Sequence, residues 1–267
     1  MAMKPVYFVH ISDTHIGPTR DYRLYGLATL PCAERIIDAI NSLPTKPDFV
    51  IHTGDVVETP DPDSYKLAAE VFSRLSIPMY FVTGNHDTST GIRQFLSFGP
   101  KEDVGLDEDL LSYTFDSGGF RFVTLDSRGP NEIDPHGLLP ASQLRFIQSV
   151  VQSDGPPLII FIHFPPLKLD SVWFDRDMLM LNGEDLHKVL IPAGKRVRGV
   201  FFGHVHRGIQ IVADGLPYTS VASAFRQFTA WPGDTTVKLD GHHPPSFNFV
   251  TLLSGQTIVK EHTVPRP

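Results

Sequence analysis

Five short clusters in this 267-residue chain carry residue types that hold divalent metals: Asp13-Thr14-His15, Gly54-Asp55, Gly84-Asn85-His86-Asp87, His163 and Gly203-His204-Val205-His206. Carboxylate, amide oxygen and neutral imidazole together suit Zn, Mn, Fe or Co and are too rich in nitrogen for a Ca or Mg cage. Asp13, His15, Asp55, Asn85, His163, His204 and His206 are too many donors for one tetrahedral ion. They are the right number for two ions sharing a bridging carboxylate. Two ions about 3.5–4 Å apart lower the pKa of a shared water and clamp the attacking and leaving oxygens of an in-line phosphoryl displacement. The one cysteine, Cys32, excludes an intramolecular disulfide and any thiolate metal cluster, and fits a reducing compartment.

Each cluster directly follows a short apolar run. The runs Val6–Ile11, 48–52, 79–83, 120–125, 158–163 and Val197–Phe202 read as strands, several of them apolar on both faces, as in a sheet covered on both sides. Between them, 32–43, 64–75, 142–151 and 184–191 show helical spacing, with Pro31 suited to a first turn and Ser64 to a cap. The alternation predicts a layered α/β domain, in which sites assemble outside the carboxyl ends of the strands. Glycines at 54, 84 and 203 are expected to let the backbone turn there. Hairpins 113–115/120–125 and 247–252/257–262, with the β-rich tract 209–221, predict a second and more antiparallel sheet. The stretches 164–183 and 224–246 read as long surface loops.

With 23 basic and 30 acidic residues the formal charge is −7. That balance argues against a long nucleic acid held by its phosphates, which requires clustered Lys and Arg. No run approaches the roughly 18 apolar residues that span a bilayer. Val6–Ile11 contains His10 and lacks a small-residue cleavage site, so it reads as a buried strand rather than an export signal. A cytoplasmic location is the expectation.

Taken in order, the five clusters resemble the signature of the calcineurin-like metallophosphoesterases and span residues 13 to 206. Within that superfamily, His163-Phe164-Pro165-Pro166, Asn182-Gly183 and Leu125-Asp126-Ser127 with Gly137 resemble the class III cyclic nucleotide phosphodiesterase and glycerophosphodiesterase branch. That branch commonly has a second His where Phe164 stands. The resemblance implies that Asp13, His15 and His206 bind one metal and Asn85, His163 and His204 the other, with Asp55 bridging. It implies further that His86 faces the substrate as a catalytic helper and that Glu58 orients it. The expected fold is a single α/β domain over 1–267, a four-layer α/β/β/α sandwich of two packed mixed sheets, with 209–267 contributing β-rich C-terminal strands. The expected activity is dinuclear-metal hydrolysis of small phosphodiesters, cyclic nucleotides or glycerophosphodiesters, by in-line attack of a metal-bridging hydroxide. Alternatives are a phosphomonoesterase or nuclease of the superfamily, or a non-catalytic scaffold. Family members of this size often associate through the later β-rich segment, which implies a homo-oligomer.

The remaining candidates have plainer readings. His10 and His52 lie inside strand runs and are expected to be core imidazoles with a backbone partner; His136, His187 and His262 are expected to be solvated. His242-His243 reads as an exposed loop, and Arg128 as a solvated loop residue that could reach a substrate phosphate. Trp173, Phe174 and Trp231 could wall the site or simply pack.

Overall fold

The computed structural model of the protein describes residues 4–105 and 109–267. Twelve strands form two sheets: β1 (Val6–Ile11), β2 (Phe49–His52), β3 (Met79–Phe81), β4 (Glu102–Asp103), β5 (Tyr113–Ser117), β6 (Phe120–Thr124), β7 (Leu158–Phe161), β8 (Val197–Phe202), β9 (Gln210–Ala213), β10 (Leu216–Ser220), β11 (Ser246–Leu252) and β12 (Thr257–Thr263). The first sheet has the order β12-β11-β1-β2-β3 and the second β9-β10-β8-β7-β6-β5-β4. Both are mixed. β1, β2 and β3 run parallel, as do β6, β7, β8 and β10, while the outer pairs are antiparallel.

The pleat explains why two sheets stack. In β1, Phe8 meets Phe122, Phe161 and Phe201 edge-on at 6.1, 5.7 and 5.3 Å, and His10 meets Phe201 at 5.5 Å. The alternate residues Val9 and Ile11 then lie on the opposite face of the first sheet. Helices α1 (Thr29–Asn41), α2 (Pro62–Phe72) and α3 (Ser89–Phe95) contribute Ile36, Ile40, Val71, Phe72 and Ile92 to the same core. The second sheet alternates in the same way. Ile159, Phe161 and Phe201 face the first sheet, whereas Ile160, Val200 and Phe202 join a separate core with Ile147, Val151, Leu186 and Leu190 of α4 (Ala141–Gln152) and α6 (Gly183–Leu190). The layers therefore run helix, sheet, sheet, helix, as the patterning predicts.

Local signals shift some boundaries. α1 begins at Thr29, so Pro31 sits inside its first turn. The cap of α2 is Asp61, not Ser64: its carboxylate accepts from the N–H groups of Asp63 and Ser64 at 2.9 and 3.0 Å, and Pro62 occupies the first helical position, where a missing N–H costs nothing. The first hairpin is tighter than expected. β5 runs to Ser117, leaving Gly118 and Gly119, both at positive φ, as a two-residue turn. The two long loops also carry structure, with a short helix α5 (Val172–Asp177) in one and a strand pair, Gln227–Phe228 with Leu239–Asp240, in the other. No helix among the described residues is long and apolar enough to cross a membrane.

Candidate metal centre

All five clusters lie at carboxyl ends of strands, three from the first sheet (β1, β2, β3) and two from the second (β7, β8), so they meet over the seam between the sheets. Backbone bonds lock them to one another. Asp13 N–H donates to Gly54 O at 3.0 Å, His15 N–H to Asp55 O at 3.1 Å and Gly203 N–H to His163 O at 3.0 Å. The Asp13 carboxylate accepts from His204 N–H, and Asp87, a residue the sequence reading gave no role, accepts from Val56, Val57 and Gly84.

The chain turns its side chains inward by an unusual backbone. Asp13, His15, Asp55, His204 and His206 all have positive φ, between 45° and 68°. Non-glycine residues avoid this region at a cost of about 1–3 kcal/mol each, and such strain concentrates at functional sites. In Asp13-Thr14-His15 and His204-Val205-His206 the left-handed residues alternate, which aims both members of each pair at one centre. Gly54 also has positive φ, as expected for a turn, but Gly84 and Gly203 do not. What they supply is room: a Cβ on Gly84 would collide with the Asp55 carboxylate and one on Gly203 with Ser12.

The donor atoms are brought within ligand distance. His15 Nε2 lies 3.0 Å from His206 Nε2 and 3.6 Å from Asp55 Oδ2, and His206 Nε2 lies 3.6 Å from Asp13 Oδ1. On the other side His163 Nε2 lies 3.2 Å from Asp55 Oδ2, 3.1 Å from His204 Nδ1 and 3.3 Å from Asn85 Oδ1. Three groups of ligand atoms, Asp13/His15/His206, Asp55/His163/His204 and His15/Asp55/His86, each fall within 4.8 Å.

The hydrogen bonds on the far side of each ring decide what these atoms are. His163 Nδ1 faces Thr53 O at 2.6 Å, His206 Nδ1 faces Arg226 O at 2.9 Å, His204 Nε2 faces Pro135 O at 3.0 Å and His15 Nδ1 faces Glu58 Oε2 at 2.7 Å. Each of these nitrogens carries a proton, since its partner only accepts, so in the neutral ring the inward nitrogen offers a lone pair. In that form the lone pairs of four imidazoles, one amide oxygen and two carboxylates point at one another. Such an arrangement calls for cations, and the outer partners are those that orient metal-bound histidines.

Electrostatics divide the rings: His204 and His206 are held neutral, whereas the carboxylates favour a proton on His163 that a bound cation would displace. Burial and the neighbouring Asp55 push the Asp13 carboxyl up to about 6 against the pull of His163 and His15. Burial would also raise Asp55, but His163, His86 and His15 around it hold it well below the usual carboxylate range. Burial opposes charge on His163, yet Asp55 and Asp13 outweigh it and raise that ring to about 9, which marks how strongly this pocket attracts positive charge. Burial, then the adjacent histidines, hold His204 and His206 well below the ordinary value, leaving them neutral as ligands must be.

A model of the calcineurin-like phosphoesterases matches residues 6–208, a span that contains every cluster described above. The chain belongs to the calcineurin-like phosphoesterase family. A 3',5'-cyclic-nucleotide phosphodiesterase from Nostoc sp. is 26% identical to this phosphoesterase over 254 residues, covering 95% of this chain and 90% of the relative. A glycerophosphodiester phosphodiesterase from Enterobacter lignolyticus is 28% identical over 200 residues, covering 74% of this chain and 69% of the relative. Among solved structures, a dimetal phosphatase from Danio rerio superposes over the whole of both chains with a TM-score of 0.71 at 17% identity, which shows a common fold.

In this phosphoesterase the donor cluster floors a cavity of about 190 Å³. His86 lines it, its Nδ1 facing Glu58 O at 2.9 Å and its backbone N–H donating to Asp55. Glu58 is closer to His15 than to His86, at 2.7 against 3.5 Å, so its carboxylate orients a cluster histidine rather than mainly His86. Opposite lie Tyr25, Trp173, Met178, Phe228 and Val237, with Phe228 stacked on His206 at 4.4 Å. Trp173 thus joins a wall, whereas Phe174 is packed in the second core and Trp231 is 70% exposed.

Of the plainer readings, His10 and His52 are indeed buried. His52 accepts from the backbone N–H of Gly54 at 3.3 Å, as expected, and meets the Thr14 hydroxyl at 3.0 Å, whereas the partner of His10 is the Thr53 hydroxyl at 2.9 Å rather than a backbone group. His187 is not solvated: it is buried between Tyr218 Oη at 2.7 Å and Asp214 at 2.9 Å, fixing α6 to the β9–β10 hairpin. His136 is half-buried on Leu179 O, His242 is exposed, and His243 faces Pro244 O and Glu261. Arg128 is half-buried and shares a second cavity with Asn85. Tyr25 and Phe228, and the carbonyls of Thr53, Pro135 and Arg226, escaped the sequence reading; of these only the aromatic residues carry any residue-type signal.

Proposed function

We propose that this phosphoesterase is a single-domain, dinuclear-metal phosphodiesterase acting on small diesters of the cyclic nucleotide or glycerophosphodiester class. Asp13, His15 and His206 hold one divalent ion and Asn85, His163 and His204 the other, with Asp55 shared; the donor set suits Mn, Fe, Zn or Co. The observation that carries the reading is the convergence of seven donor side chains, of which His15, Asp55, Asn85, His204 and His206 line the 190 Å³ cavity. The relatives named for cyclic nucleotide and glycerophosphodiester hydrolysis support the substrate class.

When bound, the two ions supply Lewis-acid charge for the phosphoryl oxygens and make a water acidic enough to react at neutral pH. The chain's own groups do the rest. Thr53, Pro135 and Arg226 carbonyls and the Glu58 carboxylate fix the four imidazoles so that no reorganisation is needed during the reaction. Burial opposes protonation of His86, but Asp55 and the Glu58 carbonyl and carboxylate raise it, which favours this ring as proton donor to the leaving oxygen. On the side of His206 the lining is aromatic, with Phe228 stacked on its ring at 4.4 Å. The net charge of −7 suits a small anion drawn to a local cationic site rather than a long polyanion, and the buried free Cys32 suits a cytoplasmic, reducing setting.

Metal analysis coupled to a substrate panel tests the reading. Two ions per chain and faster cleavage of bis-aryl than of mono-aryl phosphate are expected. Fewer than one ion with no diester cleavage would leave a scaffold, and the reverse rate order a monoesterase.

A further inference from the structure

Beside the cluster, on its Asn85 side, lies a cavity of about 160 Å³ lined by Asn85, Arg128, Asn131, Asp134, His136 and Phe164. It has room for about five waters. We propose that it seats the free hydroxyl groups of the alcohol arm of the diester, a polyol or ribose in class, with Arg128 as the specificity-determining residue. The inference rests on the phosphodiesterase reading and names which arm the site selects.

The lining offers both donors and acceptors, which hydroxyls satisfy. Arg128 forms no ion pair among the described residues; Nη2 donates to Asn131 Oδ1 at 2.8 Å, and the other N–H groups of the fork remain for a ligand. His136 Nδ1 faces Leu179 O at 3.1 Å and therefore carries the proton, so Nε2 is left as an acceptor. Asp134 accepts only. An anionic arm would meet the Asp134 carboxylate, a cationic arm the Arg128 guanidinium, and an apolar arm would strand both. A diol donates to one side and accepts from the other. Phe164 is fully buried behind the cavity, its ring packed on His163 and His204 at 4.8 and 4.7 Å, and so ties the cavity wall to the cluster. The walls are held in place: Arg128 N–H donates to Asp126 at 3.1 Å, Leu138 N–H to Ser127 O at 2.9 Å, and Gly137 bridges both Arg128 and Met180. Asn85 lines this cavity and the one over the cluster, which sets the hydroxyl arm beside the reacting phosphorus and opposite the aromatic wall.

The test uses two diesters that share a para-nitrophenyl leaving group and differ only in the second arm, glyceryl or propyl, each measured as kcat/KM on metal-loaded protein. The wild type is expected to prefer the glyceryl ester about tenfold, and R128A and N131A to bring that ratio toward one, chiefly through KM for the glyceryl ester, with R128K recovering part of it. A ribosyl and 2′-deoxyribosyl pair distinguishes a ribose arm from glycerol by which pair shows the larger ratio. Equal wild-type rates within both pairs, or ratios unmoved by R128A and N131A, would overturn the assignment. If neither diester is cleaved, the phosphodiesterase reading fails and the cavity is decided separately by calorimetry. Glycerol phosphate must then bind wild type more tightly than propyl phosphate, and R128A must erase the difference; equal affinities would refute the cavity's role.

Discussion

The two halves of the donor cluster draw on the same stock of imidazoles but not on the same charge. Around His15 and His206 stand a carboxylate of that half's own, Asp13, and a second one, Glu58, bonded to the outer nitrogen of His15. Around His163 and His204 stand the neutral Asn85 and two backbone carbonyls, and the anion in contact with a ring nitrogen is the shared Asp55, while Asp13 meets the backbone N–H of His204. The backbone differs as well. Both histidines and the aspartate of the first half sit at positive φ, whereas in the second half only His204 does. On the dinuclear reading a divalent ion would meet two ligand carboxylates in the first half, Asp13 and the shared Asp55, and one in the second, Asp55, so the first should fill more tightly. The strained loops, in turn, should relax when the charge that organises them is removed.

Replacing the shared anion is the most severe way to break this comparison. Asp55→Ala should empty both halves and lower kcat/KM by about a thousandfold or more, roughly 4 kcal/mol of transition-state stabilisation. Steady-state rates with metal analysis check this, and near-normal turnover would show that Asp55 is not shared. Asn85→Ala separates the halves. It should leave about one ion per chain, that of the first half, with activity down by about a hundredfold, roughly 2.7 kcal/mol; loss of both ions would deny the asymmetry. Glu58→Gln sharpens it from the other side. Removing an orienting carboxylate typically weakens a metal site about 10–100-fold, so titration should show the affinity of the first half falling while the second is unmoved.

The smallest effect contrasts cluster imidazoles with a core imidazole. Burial lowers His10 to about 3, so as pH falls the unfolded chain takes up this proton near 6.5 while the folded chain does not. Stability from this group is complete above about 6.5 and is lost between about 6.5 and 3, at roughly 1.4 kcal/mol per pH unit. His10→Gln should remove that slope in metal-free protein, saving about 1.4 kcal/mol near pH 5.5 in denaturant titrations. An unchanged slope would mean that His10 is charged in the fold.

Much of the site was legible because each donor is announced twice, by its own chemistry and by the apolar run before it. Asp13, Asp55, Asn85, His163 and His204 all stand two to four residues past a strand whose pattern is plain. The layered fold was legible from the alternation of apolar runs with helical spacing, but which face each residue takes in β7, apolar throughout, was not. What stayed hidden depends on atoms without residue identity or on distant partners. The carbonyls of Thr53, Pro135 and Arg226 set the tautomers, yet any residue has a carbonyl. His187 looked like a helix-surface residue because Tyr218 and Asp214, which bury and bind it, lie 31 and 27 positions away. Asp61 was overlooked as a cap because Pro62 masks where α2 begins.

The central claim is that two ions sit across Asp55, one in each half. Diffraction from crystals of metal-loaded protein at the absorption edge of the bound metal tests it directly. The account predicts two anomalous peaks about 3.5–4 Å apart, with Asp55 touching both and the peak beside Asp13 the more fully occupied. A single peak, or two with Asp55 bound to only one, would contradict it.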